Sequence, residues 1–418
     1  MKWQITIFRW VMALLLVAGS GYAVAWHMSD GTVGRYGRPE ILPPPAGAPK
    51  ALALVFPDPA APERARASAR RLAAQGALVA VVDTARYLDS VSKPGQVNCA
   101  GFADDAERFG KHLLRKRHID VFLPPLLVGD GEGALLVRQA MAAAMPDVLA
   151  GGVVVDGGAA QDRFACGTQA PSAAQGTLAV VPASATADQL AQAVQAGFPA
   201  AGSGLAGLPL VEMHVPGSRR LAIVISGDGG WRELDKGVGA ELNRQGVSVV
   251  GWNSLRYFWS EKSPQQIGDD LSRVMAEYQR RWHADDIALV GYSFGADVMP
   301  FAYQRLPEAQ RRQVRFVSLL GLAHGANFKV RVGGWLGFGK SGQAPVLPEL
   351  AKMDPRLLQC IHGEQEKGSL CPELEVRGIE VVARPGGHHF DHDPAKLAAI
   401  ILQGWQRRVA GAAAAAHA

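Results

Sequence analysis

Ser293 lies in the run Ile287-Ala-Leu-Val-Gly-Tyr-Ser-Phe-Gly-Ala-Asp-Val298, an apolar segment, a Gly-x-Ser-x-Gly turn and then helix-forming residues. A serine hydroxyl is a weak nucleophile until a neighbouring base takes its proton. Gly291 and Gly295 carry no Cβ, so the chain can turn sharply from strand to helix and push the hydroxyl out at the bend. The N–H groups that open the helix would then face any oxygen that gains negative charge. The implied chemistry is acyl transfer to the serine and then to water. The alternative is a glycine-rich turn carrying a solvated serine.

The base and its orienting acid must come from later strand ends, in the order nucleophile, acid, histidine. After the expected strand Leu357–Ile361 the chain reads His362-Gly-Glu-Gln-Glu366. An acid three residues past the glycine selects Glu366, with Glu364 the alternative; its work would be to orient and stabilise an imidazolium. After Ile379–Ala383 comes Arg384-Pro-Gly-Gly-His-His-Phe390. His388 directly follows the glycines, and His389 fits a Gly-x-x-His spacing. Imidazole suits the task because it titrates near neutrality. Asp391 and Asp393 either orient a ring or cap the helix starting near Pro394.

An oxyanion loop is expected in Ser226-Gly-Asp-Gly-Gly-Trp231, after the strand Leu221–Ile225. The donors would be the Phe294 N–H and one from Asp228–Gly230, Gly229 first. A phosphate cradle would need the Gly-Lys-Ser/Thr ending that this loop lacks. Asp297, in the first turn after Ser293, either favours the helix dipole or joins Asp228 in attracting a cationic substrate group. Trp231, Trp252, Tyr257 and Trp259 either line an apolar pocket or pack in the core.

These residues need a sheet to present them. Further strands fit Val247–Trp252, Ile287–Val290 and Val314–Leu320, and helices fit Lys236–Arg244, Pro264–Trp282, Ala296–Arg305 and Pro394–Val409. Such alternation predicts an α/β, mostly parallel sheet with helices on both faces and a site outside the carboxyl ends of the strands. The first half repeats the second. Ala51–Asp58 aligns with Leu221–Asp228, Arg71–Gly76 with Glu241–Gly246, and Arg86-Tyr87 with Arg256-Tyr257, all at one offset of about 170 residues. Val128-Gly-Asp-Gly-Glu-Gly-Ala134 then aligns with Val290-Gly-Tyr-Ser-Phe-Gly-Ala296. Gly131 stands where Ser293 does, so the first copy has no nucleophile.

The 418 residues divide accordingly: 1–25 as a signal peptide, 26–50 as a linker, 51–200 as the degenerate domain, 208–410 as the domain carrying Ser293, and 411–418 as a disordered tail. The leader combines Lys2 and Arg9, an apolar run Trp10–Ala18 and the small-x-small site Ala23-Val24-Ala25. It implies export, most simply to a bacterial periplasm. Four cysteines suit an oxidising compartment and are expected to pair as Cys99–Cys166 and Cys360–Cys371. None has zinc-ligand spacing with histidine, so neither metal nor cofactor is expected. A net charge of +5 favours anionic surfaces such as phospholipid headgroups. Nucleic acid is not expected, because no Lys/Arg-rich run is interleaved with aromatics.

Ser226-Gly-Asp-Gly-Gly-Trp231 with Asp235-Lys236, Gly291-Tyr-Ser-Phe-Gly-Ala-Asp297 and Gly386-Gly-His-His-Phe390 together resemble the VirJ/AcvB family of bacterial periplasmic proteins. The two-part arrangement resembles the longer AcvB type. The resemblance spans roughly Val215–Val409 and implies two tandem α/β-hydrolase-like domains, the first degenerate. It implies an exported serine esterase that cleaves the aminoacyl ester of aminoacyl-phosphatidylglycerol, notably the lysyl form. It further implies an anionic phospholipid substrate at the membrane surface, and links to virulence and type IV secretion. Two other activities fit the same residues: a lipase or thioesterase of another substrate, and a non-catalytic adaptor for secretion or exported virulence proteins.

Overall fold

The computed structural model describes residues 34–91, 101–144, 148–156, 178–198, 204–330 and 343–416. The chain divides into two compact units, one ending at residue 200 (Asp120–Phe122 excepted) and one from residue 201 onward.

The first unit runs β1 (Glu40–Leu42), β2 (Ala51–Phe56), α1 (Glu63–Ala74), β3 (Ala77–Val81), α2 (Thr84–Val91), α3 (Gly101–Lys116), β4 (Pro125–Gly129), α4 (Glu132–Ala143), β5 (Gly151–Val155), β6 (Leu178–Val181) and α5 (Ala187–Ala196). Its sheet order is β1-β3-β2-β4-β5-β6. All pairs are parallel except β1 with β3. Strands β2 to β5 are buried along their whole length, which is why they read as unbroken apolar runs rather than alternating ones.

The second unit runs β7 (Leu210–Met213), β8 (Arg220–Ile225), α6 (Glu233–Arg244), β9 (Ser248–Trp252), α7 (Pro264–Trp282), β10 (Asp286–Tyr292), α8 (Phe294–Gln304), β11 (Val314–Leu320), a short pair β12 (Gly325–Ala326) and β13 (Ala344–Pro345), β14 (Leu358–Gly363), β15 (Glu380–Arg384) and α9 (Pro394–Ala416). The sheet order is β15-β14-β11-β10-β8-β9-β7, parallel except β7 with β9. Leu397, Ile401 and Trp405 of α9 join Leu234, Val238 and Leu242 of α6 in one core on that sheet. On α7, Ser263 and Gln266 form a reciprocal capping box with Pro264 inside it, so local chemistry alone marks where that helix starts.

The two sheets repeat one another strand for strand, from an antiparallel edge (β1, β7) inward, with the second one strand longer. Two expected boundaries are corrected. Residues 26–50 are not all linker, because Glu40–Leu42 pairs with Val79–Val81 as β1. The tail expected to be disordered from 411 continues α9 to Ala416. Alanine is the best helix former and propagation from an existing helix is cheap. The leader 1–25 and the pair Cys99–Cys166 lie outside the described residues.

Candidate active site

Ser293 sits between β10 and α8 at φ 51° and ψ −116°, a backbone conformation that L residues rarely adopt. Its N–H donates to the Leu320 carbonyl at 2.8 Å. The flanking glycines are required by contact. A Cβ on Gly291 would lie 2.6 Å from the Gly295 carbonyl oxygen, and one on Gly295 would lie 2.1 Å from that of Ile225. The strained turn is therefore imposed by packing against β8 and aims the hydroxyl past the strand ends.

Two loops complete the group, one after β14 and one after β15. Ser293 Oγ lies 2.8 Å from His388 Nε2, and His388 Nδ1 lies 2.5 Å from Glu366 Oε1. The carboxylate can only accept, so Nδ1 carries the proton and Nε2 is left to accept from the serine. Glu366 Oε2 accepts the Gly363 N–H at 3.2 Å. Burial pushes the Glu366 carboxyl up, but the His388 hydrogen bond and charge and the Gly363 N–H outweigh it and hold it below the usual range. The acid and histidine loops interlock: Glu364 N–H donates to Arg384 O at 2.8 Å and Gln365 N–H to Gly386 O at 2.9 Å. A disulfide between Cys360 and Cys371 closes the acid loop at its base. Gly321, at the end of β11, makes room for the imidazole; a Cβ there would stand 2.7 Å from His388 Cε1.

The alternatives are placed elsewhere. The Glu364 side chain is exposed, and only its backbone joins the loop pairing. His389 Nδ1 lies 2.9 Å from the Tyr292 hydroxyl, which also lies 3.3 Å from the His388 carbonyl oxygen. His389 thus braces the loop from behind. Burial, then the charges of His388 and His392, lower its pKa. Asp393 accepts the Lys396 N–H at 3.1 Å and caps α9.

The oxyanion loop lies against the serine: a Cβ on Gly227 would be 3.7 Å from Ser293 Cβ. Gly230 N–H is committed to Gly227 O at 3.1 Å, so of the expected donors on that side Asp228 and Gly229 remain as candidates. Phe294 N–H opens α8 beside Ser293. Asp228 is exposed at this mouth. Trp231 is not; it is 2% exposed and fills space left by Gly239 and Gly251. Trp252, Tyr257 and Trp259 are likewise buried, so none of the four is a surface lining. Asp297, expected either to favour the helix dipole or to attract a substrate cation, accepts the Ala323 N–H at 2.8 Å. Burial raises its pKa well above the usual range, reinforced by Glu366 and Asp228. Among the described residues no cluster of three or more His, Cys, Asp or Glu could hold a metal ion, and no helix is long and apolar enough to cross a membrane.

Fold and site together define a unit of the α/β-hydrolase type with a Ser–His–Glu relay at the carboxyl ends of its strands. Residues 219–409 match the family described as VirJ, bacterial virulence protein. No curated protein matches the chain. Among solved structures, the chain is similar to Est1E of Butyrivibrio proteoclasticus with ferulic acid bound, at 14% identity over 49% of this chain and 96% of that one, TM-score 0.35. It is also similar to a lidless α/β serine hydrolase of Xanthomonas campestris, at 17% identity over 46% and 84%, TM-score 0.32.

Proposed function

We propose that the second unit is a serine esterase, acting in the periplasm on the aminoacyl ester of aminoacyl-phosphatidylglycerol, with the lysyl form preferred. The observation that carries the reading is the continuous relay from Ser293 Oγ through His388 to Glu366. His388 Nε2 takes the hydroxyl proton as Ser293 attacks the ester carbonyl. The resulting oxyanion is met by the Phe294 N–H and by the Asp228 or Gly229 N–H. Collapse expels the lipid glycerol oxygen, which receives the proton from His388 and leaves as phosphatidylglycerol. Water, deprotonated by the same nitrogen, then releases the free amino acid. Glu366 stays ionised throughout and stabilises the imidazolium. Asp228 and Glu233 are exposed on the same side, and both bear on Tyr292 electrostatically, so a cationic aminoacyl group meets favourable charge. The basic chain suits an anionic membrane surface.

The test incubates the purified protein with lysyl- and alanyl-phosphatidylglycerol and extracts the lipids. Wild type should yield phosphatidylglycerol and free amino acid, and Ser293→Ala neither. Turnover of lipid or thioester acyl groups alone would redirect the reading to a lipase or thioesterase. A Ser293→Ala strain that keeps every wild-type phenotype would redirect it to an adaptor for secretion or exported virulence proteins.

A further inference from the structure

The duplication makes the first unit an internal control for the second, since one fold is built twice and only one copy keeps the serine. Helices α1 and α6 match residue for residue, and so do the first turns of α4 and α8. In these alignments Asp235 stands where the first unit has Ala65, and Asp297 where it has Leu135. The fold therefore forms with an apolar side chain at both places. Burying a carboxyl is costly, and Asp235 is only 5% exposed.

What each acid holds is a loop bordering Ser293. Asp235 Oδ1 lies 3.3 Å from the N–H of Gly227, the residue packed against Ser293 Cβ. Asp297 Oδ1 lies 2.8 Å from the N–H of Ala323, two residues past Gly321, which faces the His388 ring. We propose that Asp235 and Asp297 are positioning residues, Asp235 fixing the oxyanion loop and Asp297 fixing the loop beneath the imidazole. Burial biases both carboxyls towards the neutral acid. An amide of the same shape keeps the acceptor oxygen and should therefore substitute. Neither acid touches substrate; each acts through the backbone it holds, by keeping preformed groups in place.

The inference rests on the serine-esterase reading, so the test separates the two. In the full-length protein, Asp235→Ala and Asp297→Leu install the first unit's residues, while Asp235→Asn and Asp297→Asn retain the acceptor. The readouts are the rate of Ser293 labelling by a fluorophosphonate, kcat and KM on the lipid ester, and the thermal midpoint. The Ala and Leu variants should melt near wild type, label about tenfold or more slowly and lose kcat by a like factor. Their KM should move by less than about twofold, and the Asn variants should recover most of the rate. Wild-type labelling and kcat in the Ala and Leu variants would overturn the inference alone. So would Asn variants that fold but are as slow as Ala or Leu, which also decides the matter if the latter fail to fold. Wild type that does not label would remove the esterase reading and this inference with it.

Discussion

Gly131 and Ser293 occupy the same bend in two copies of one fold, and their backbones nearly coincide: φ 54° and ψ −121° for the glycine, φ 51° and ψ −116° for the serine. The contacts that force the bend are kept as well. A Cβ on Gly133 would come within 2.0 Å of the Phe56 carbonyl oxygen, just as one on Gly295 meets that of Ile225 at 2.1 Å. Loss of the nucleophile thus left the elbow standing. What changed is the space in front of it. Asp58, the counterpart of Asp228, fills the place a side chain at 131 would need, with Oδ2 only 2.1 Å from a built Cβ. Asp130, the counterpart of Tyr292, is buried against Arg64 in a two-pronged ion pair of 2.6 and 2.9 Å. Arg64 also donates to the carbonyls of Ala183 and Ala185, just after β6. An elbow conformation is therefore a property of strand-to-helix packing, whereas activity needs the loops of neighbouring strands as well.

The largest effect expected from this contrast is at the serine itself. Ser293→Ala should lower the rate by roughly 10³–10⁶-fold, with His388→Ala similar, because the relay acts as a unit. Both variants should melt close to wild type in calorimetry, since the first unit folds with glycine at that bend. Residual turnover near the wild-type rate in either would mean that the Ser293–His388 pair does not carry the activity.

Next in size is the acid. Glu366→Gln should cost about 10²–10⁴-fold in kcat, because the amide cannot stabilise the imidazolium. Glu364→Gln should change kcat by less than about twofold, as a surface substitution does. Equal losses in steady-state assays would mean that the exposed glutamate swings into the relay.

Gly131→Ser tests the contrast from the other side. Added to Ser293→Ala, it should restore no turnover and no fluorophosphonate labelling, because Asp58 blocks the position. In the wild-type background it should lower stability by about 1–3 kcal/mol, the usual penalty of overpacking. Labelling at residue 131 would show that the vestigial elbow needs only its hydroxyl.

How much of this was legible in the sequence differs by element. The elbow, Glu366 and His388 were legible because each sits at a glycine-marked strand end, and glycine patterns report backbone constraints directly. Between His388 and His389 the order of residues left both open; the choice is made by Tyr292, which claims the second ring. Trp231 was ambiguous because an aromatic beside a glycine-rich loop packs equally well inward or outward. The inward pocket is made by Gly239 and Gly251, far along the chain. Strands β1 and β7 are only three and four residues long, too short for an alternating pattern to show. The alanine tail carried no hydrophobic period, yet it continues the helix to which it is joined.

The smallest expected effect concerns that second ring, whose strand β15 has no counterpart among the described residues of the first unit. His389 titrates below its ordinary 6.5 in the fold, so the unfolded chain takes up this proton first as pH falls. Its contribution is neutral above 6.5, turns unfavourable as pH falls below 6.5, and reaches its full size once pH is below the folded value. Glu366 also titrates below its ordinary 4.5, so its stabilising contribution is present above that pH and is lost as pH falls through the folded value. The thermal midpoint of the second unit should therefore decline in two stages on acidification, the first beginning near 6.5. His389→Gln keeps a polar partner for Tyr292 but does not titrate, so in differential scanning calorimetry it should remove the first stage and leave the second. Glu366→Gln should do the reverse. If His389→Gln leaves the whole acid limb unchanged, the ring is not held neutral against Tyr292, and its bracing of the His388 loop falls with it.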